Sequence, residues 1–221
     1  MKKINYLLLM LAVILGFGLT ACNDDDNNNN NGSSYTAFVT LAVCNDNGAT
    51  FTTTLGDDTK PVAYTTNMRL TGERYKVGQR YIIQFTIDTP VAMGGAINLL
   101  NVYDIFNGDV KSASAAEIKE LTTDPIDINM VQRDGDFLNI QATAYAGRDP
   151  KTFALYVDEA TIDNEMPDVY VGYQIKNGAS NAYVLYGSFG ISSLWSKPGC
   201  KGLNFHYRQN DEDQILKIEK K

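Results

Sequence analysis

Residues 35–43 read YTAFVTLAV, and Tyr35, Ala37, Val39, Leu41 and Val43 share one parity. A period of two, built from β-branched and aromatic residues, marks a half-buried strand whose side chains alternate between faces. The same pattern returns in Tyr81, Ile83, Phe85 and Ile87. Val169, Val171, Tyr173 and Ile175 form a third run, and Tyr183, Leu185, Phe189 and Ile191 a fourth. Asp46-Asn47-Gly48, Asn107-Gly108, Asp134-Gly135 and Asn177-Gly178 fall between such runs. Asx-Gly pairs suit hairpin turns, because glycine adopts positive φ without a Cβ clash. Only Ala115–Leu121, AAEIKEL, reads as helix. The fold class expected is therefore all-β, with strands spaced as in barrels and sandwiches.

Thr122-Thr123-Asp124-Pro125 reads as a domain boundary. Before it, residues 35–123 hold about five strands and the short helix, which suits a small closed barrel. After it, residues 124–221 hold roughly six or seven strands, which suits a β-sandwich. The composition agrees with a packed protein: 44% hydrophobic and 20% charged residues exclude a disordered chain. The net charge is −7 and becomes more negative if Lys2 and Lys3 are removed. That sign excludes nucleic acid as the expected partner, since phosphates require a basic face.

The first 22 residues carry an address. Lys2 and Lys3 precede a 13-residue apolar run from Leu7 to Leu19. A membrane span needs about 20 residues, whereas a secretory signal needs fewer. The run ends in Leu19-Thr20-Ala21-Cys22, a lipobox. Residues 1–21 are thus expected to be cleaved between Ala21 and Cys22, leaving Cys22 lipidated. Several acyl chains, at about 0.8 kcal/mol per buried CH₂, hold a protein on a membrane durably. Residues 22–34 continue as an acidic, Asn-rich tether, with no apolar residue between Asn23 and Ser34 to bury. Its reach as a flexible coil is on the order of 20 Å. Asp24, Asp25 and Asp26 resemble the acidic signal that exports lipoproteins to the outer face of the outer membrane; the alternative is its periplasmic face.

Chemistry-bearing residues are few. His206 is the only histidine, which excludes HExxH zinc sites, and its parity with Asn204 and Arg208 points it toward solvent. No GxSxG elbow, P-loop or CxxC occurs. No metal or cofactor is expected. Cys44 and Cys200 remain once Cys22 is lipidated. They are either a long-range disulfide, worth ~5 kcal/mol in the chain-entropy model, or two separate thiols. Asp158–Asp168 holds five acids in eleven residues. It reads as a polar connection between strands, with calcium or a carboxylate pair as the sharper alternatives. Trp195 either plugs the end of a sandwich core or stands exposed as a stacking surface for a ligand.

Several stretches resemble the NigD-like lipoprotein family. They are Val77-Gly78-Gln79-Arg80 leading into YIIQFTI, the strand from Ile97 to Ile105, and Phe137-Leu138-Asn139-Ile140. Leu55-Gly56-Asp57-Asp58 is similar to that family's Leu-Asp-Asp-Gly turn. Where the family often shows an Arg-His-Asn run, this sequence has Tyr173-Gln174-Ile175-Lys176-Asn177-Gly178, without the histidine. The resemblance implies an N-terminal OB-type barrel followed by a C-terminal β-sandwich. It also implies a role proposed as bacteriocin immunity and supplies no catalytic residues. The function expected is a non-enzymatic, membrane-anchored binding module with a protein or peptide partner. The alternative is a glycan-binding accessory lipoprotein that uses Trp195.

Overall fold

The computed structural model describes residues 34–54, 60–87, 94–122, 124–145, 152–175, 182–209 and 212–220. The expected signal peptide, Ala21–Cys22 cleavage and tether up to residue 33 lie outside them, as do Leu55–Asp58 and the expected Asn177-Gly178 turn. Among the described residues the chain is all-β apart from two short helices, and it divides into two compact units.

The first unit contains β1 (Ser34–Asn45), β2 (Gly48–Thr53), β3 (Val62–Thr66), β4 (Arg80–Thr86), β5 (Gly95–Ala96) and β6 (Asn98–Asp104). They form one sheet in the order β5-β3-β2-β1-β4-β6. Alternation works as the sequence predicts: Val39, Leu41, Tyr81, Ile83 and Phe85 are all buried. The pattern on β1 breaks at a register shift between Leu41 and Val43, and Val43 is exposed. Gly48 closes the β1–β2 hairpin at φ 129°, and a Cβ there would lie 2.0 Å from the Thr66 carbonyl oxygen. Tyr81 secures the loop before β4: its hydroxyl donates to the Arg74 carbonyl (2.6 Å) and accepts from the Lys76 N–H (2.8 Å).

Among the described residues, none of the sheets closes into a barrel. The OB-type cylinder stays an expectation; the two edge strands of this sheet, β5 and β6, follow one another across Ile97. The Ile97 N–H donates to the Thr65 carbonyl (2.8 Å), while β6 pairs with β4.

The second unit comprises residues 53–61 and 105–221. It holds β7 (Phe106–Asp109), β8 (Lys111–Ala113), α1 (Ala115–Leu121), β9 (Ile126–Asp134), β10 (Phe137–Tyr145) and β11 (Thr152–Asp158). It continues with β12 (Asp168–Gln174), β13 (Ala182–Gly190), α2 (Ser192–Trp195), β14 (Gly202–Gln209) and β15 (Glu212–Glu219). One sheet has the order β7-β13-β10-β9 and the other β15-β14-β12-β11-β8. Leu138, Ile140 and Phe189 from the first meet Leu155, Val171 and Phe205 from the second in one core. This is the expected sandwich: residues 124–221 supply seven of its strands among the described residues, and β7 and β8 add two from earlier in the chain.

The division between units falls at Asp104/Ile105, not at 123/124. The reason lies in β7 and β8. β7 pairs in parallel with β13, and β8, one residue later, pairs in parallel with β11. The segment thus crosses from one sheet of the sandwich to the other at Val110. Asn107-Gly108 correspondingly lies within β7 and is not a hairpin turn. Helix α1 forms where expected. Ser114 is its N-cap and Glu117 completes a capping box, so two free N–H groups at the helix start gain partners. Hydrogen bonds from the Ser114 backbone and hydroxyl lower the Glu117 pKa below its ordinary value.

Candidate functional site

The outer face of the five-stranded sheet brings together the residues most able to do chemistry. Parallel pairing of β12 with β14 sets Asp168 opposite Asn204 and Tyr170 opposite His206. The Asp168 Oδ1 accepts from the Asn204 amide at 3.0 Å and lies 2.8 Å from His206 Nε2. Asn204 also donates to the Met166 carbonyl (3.1 Å). The Tyr170 and His206 rings stack, with centroids 4.5 Å apart and planes 16° from parallel. Burial raises the Tyr170 phenol pKa, and Asp168, Asp158 and Asp213 add to the shift. The parity argument therefore placed His206 on the correct face. The ring is half-buried there, because Tyr170 covers one side and Asp168 holds one nitrogen.

The next strand extends this row. Tyr156 pairs with Tyr170 on one side and with Lys111 on the other, whose ammonium is 5.9 Å from the ring centroid. The Tyr156 ring lies over Gly172, where a Cβ would come within 2.4 Å of its Cε2. Gly172→Ala is expected to push that ring outward and cost about 1–2 kcal/mol, as overpacking does. Equilibrium unfolding in urea reads the change, and an unaltered midpoint would contradict it.

His206 and Asp168 orient one another, but the facing Tyr170 ring is stacked rather than aimed as a nucleophile. Among the described residues, no group of three His, Cys, Asp or Glu side chains could hold a metal. The acids of Asp158–Asp168 have local tasks. Asp158 accepts from the Ala160 N–H (2.9 Å), Asp163 pairs with Lys197 (2.7 Å), and Glu165 pairs with Lys201 (2.7 Å). This is the polar connection reading, built as a structured turn between β11 and β12.

Two pairs of alternatives are decided. Trp195 is only 6% exposed and belongs to the sandwich core. Its ring lies 4.6 Å from the Arg133 guanidinium and 5.9 Å from the Lys220 ammonium, and it offers no stacking surface to a ligand. Helix α2 turns the indole inward, where the sequence reads as a loop. Cys44 and Cys200 are both free. Their thiols meet backbone carbonyls instead, those of Leu70 (3.7 Å) and Gly202 (3.5 Å). The Asp168–His206 contact was not legible in the sequence. Asp168-x-Tyr170 and Asn204-x-His206 have matching parity, but their register is set by a non-consecutive parallel pairing.

No family model matches the sequence, and no curated protein matches it significantly. Solved structures do match. A NigD-like immunity protein from Bacteroides caccae is 13% identical with a TM-score of 0.56, over 82% of this chain and 90% of that one. A protein assigned as a lipoprotein from Bacteroides fragilis is 12% identical with a TM-score of 0.58, over 86% and 99%. A protein assigned as toxin-related from Parabacteroides distasonis is 19% identical with a TM-score of 0.64, over 85% and 93%. Such identities speak to architecture, and on architecture the chain has the fold of the NigD-like lipoprotein family.

Proposed function

We propose that this protein is an envelope lipoprotein, anchored through Cys22 and acting as a non-enzymatic binding module for a protein or peptide partner. The observation that carries the reading is the lipobox Leu19-Thr20-Ala21-Cys22 ahead of a fold that a NigD-like immunity protein and a lipoprotein share. A tethered module meets its partner at a raised local concentration, which lets a modest intrinsic affinity suffice. Interception of a toxin at the membrane, the immunity-like role, would use this arrangement. The acidic run Asp24–Asp26 behind the cysteine supports display on the outer surface. The glycan-binding alternative loses its stacking group with the burial of Trp195.

Cys22→Ala is expected to move the protein from the membrane fraction to the soluble fraction. It should also abolish whatever protection from an envelope toxin the wild-type chain gives its host. Protease added to intact cells should digest the wild-type protein. Retention of the variant in washed membranes would overturn the anchor. Protection from protease in intact cells would overturn surface display. A variant that is released yet protects fully would overturn interception at the membrane.

A further inference from the structure

Edge strands leave backbone donors and acceptors open, and folded proteins keep them short, bulged or charged against unwanted pairing. Five of the six edge strands in the described residues are short or bulged. β5, β7 and β8 have two, four and three residues. β6 pairs through an irregularity at Gln84/Phe85, and β9 through one at Gln141/Ala142. The sixth edge, β15, is neither short nor bulged and is guarded by charge alone, in Glu212, Asp213, Lys217 and Glu219. It runs eight residues, EDQILKIE, without proline, and its pairing with β14 is unbroken from Gly202↔Glu219 to Gln209↔Glu212. It also exposes Ile215 by 58% and Leu216 by 40%.

Charge chooses the occupant. Asp213, Ile215 and Lys217 stand opposite Arg208, His206 and Asn204, and so share the outer face. An antiparallel copy of the same strand, placed on a two-fold axis through Ile215, sets Asp213 against Lys217 and Lys217 against Asp213, with the two Ile215 side chains between them. Moving the axis to Leu216 would oppose Asp213 to Glu219. Placing it between the two residues would oppose Glu212 to Glu219. Only the first of these registers sets the two exposed isoleucines against one another between opposite charges; the Leu216 register pairs Glu212 with Lys220 but puts Ile215 against Lys217. We propose that β15 is a homodimerisation edge, pairing antiparallel with β15 of a second copy of this chain about Ile215. The two five-stranded sheets then continue into one ten-stranded sheet, and an isologous contact of this kind closes at two copies.

Directly opposed residues in such a pair lie about 4.5–5.5 Å apart at Cα, within disulfide reach. In cells making the full chain with Cys44→Ser, Ile215→Cys is expected to give a covalent dimer under mild oxidation. Val184→Cys, similarly exposed on β13 of the other sheet, is expected to give none. Separately tagged copies carrying Gln214→Cys and Leu216→Cys should cross-link with each other. Asp213→Lys places lysines face to face and should cut the cross-linked yield about tenfold. Adding Lys217→Asp should restore it, which a merely unfolded variant would not show. A yield for Ile215→Cys no greater than for Val184→Cys overturns the proposal, as does a failure of the double reversal to rescue the single one.

Discussion

Asp134→Ala is expected to lower stability by about 3 kcal/mol, the scale of leaving buried partners of a carboxylate without their acceptor. Asp134 ends β9 and is 2% exposed. Its carboxylate accepts from Thr53 Oγ1 (3.0 Å), from the Thr54 N–H, and from Thr54 Oγ1 (2.7 Å). These bonds fasten residues 53 and 54 to the β9–β10 hairpin, which turns through Gly135 at φ 59°. Asp134→Asn keeps one oxygen and should lose less. Urea unfolding of both variants checks this, and a wild-type midpoint for Asp134→Ala would contradict it.

The second large effect belongs to Trp195. Trp195→Ala should cost about 4 kcal/mol, since it leaves an indole-sized hole in a close-packed core. Leu194, beside it in α2, is also buried, so the whole helical turn closes one end of the sandwich. Lys220 adds to the seal, donating from Nζ to the Trp195 carbonyl (2.8 Å) while its charge lies near the ring. Denaturation should show the loss directly. A stability unchanged within a few tenths of a kcal/mol would mean the indole is not part of the core.

Strands were the most legible part of this chain. β1, β4, β12 and β13 announce themselves by alternation, because a strand half-buried on one face must alternate. Helix α1 was legible from the run AAEIKEL, and the Ser114–Glu117 capping box that starts it is a local device requiring no tertiary knowledge. Pairing was not legible where partners are distant in sequence. The parallel contacts β7·β13, β8·β11 and β12·β14 depend on register between segments separated by long stretches, and no local signal sets them. That is why the boundary was expected near Thr122–Pro125. Those residues look like a linker, but the short strands before them complete the sandwich. For the same reason the Asp168–His206–Tyr170 cluster was invisible, and Trp195 admitted two readings that only packing could separate.

The capping box gives a pH signature of modest size. Because Glu117 is held below its ordinary pKa, its contribution to α1 is present above the unfolded value. It is lost as pH falls through the folded one. Glu117→Gln should flatten that acid limb of a pH–stability profile.

Mass spectrometry of the protein extracted from membranes puts the central question most simply. The first residue found should be Cys22, heavier by the mass of its acyl chains. A chain that starts elsewhere, or starts at an unmodified cysteine, would contradict lipid anchoring and with it the proposed role at the membrane.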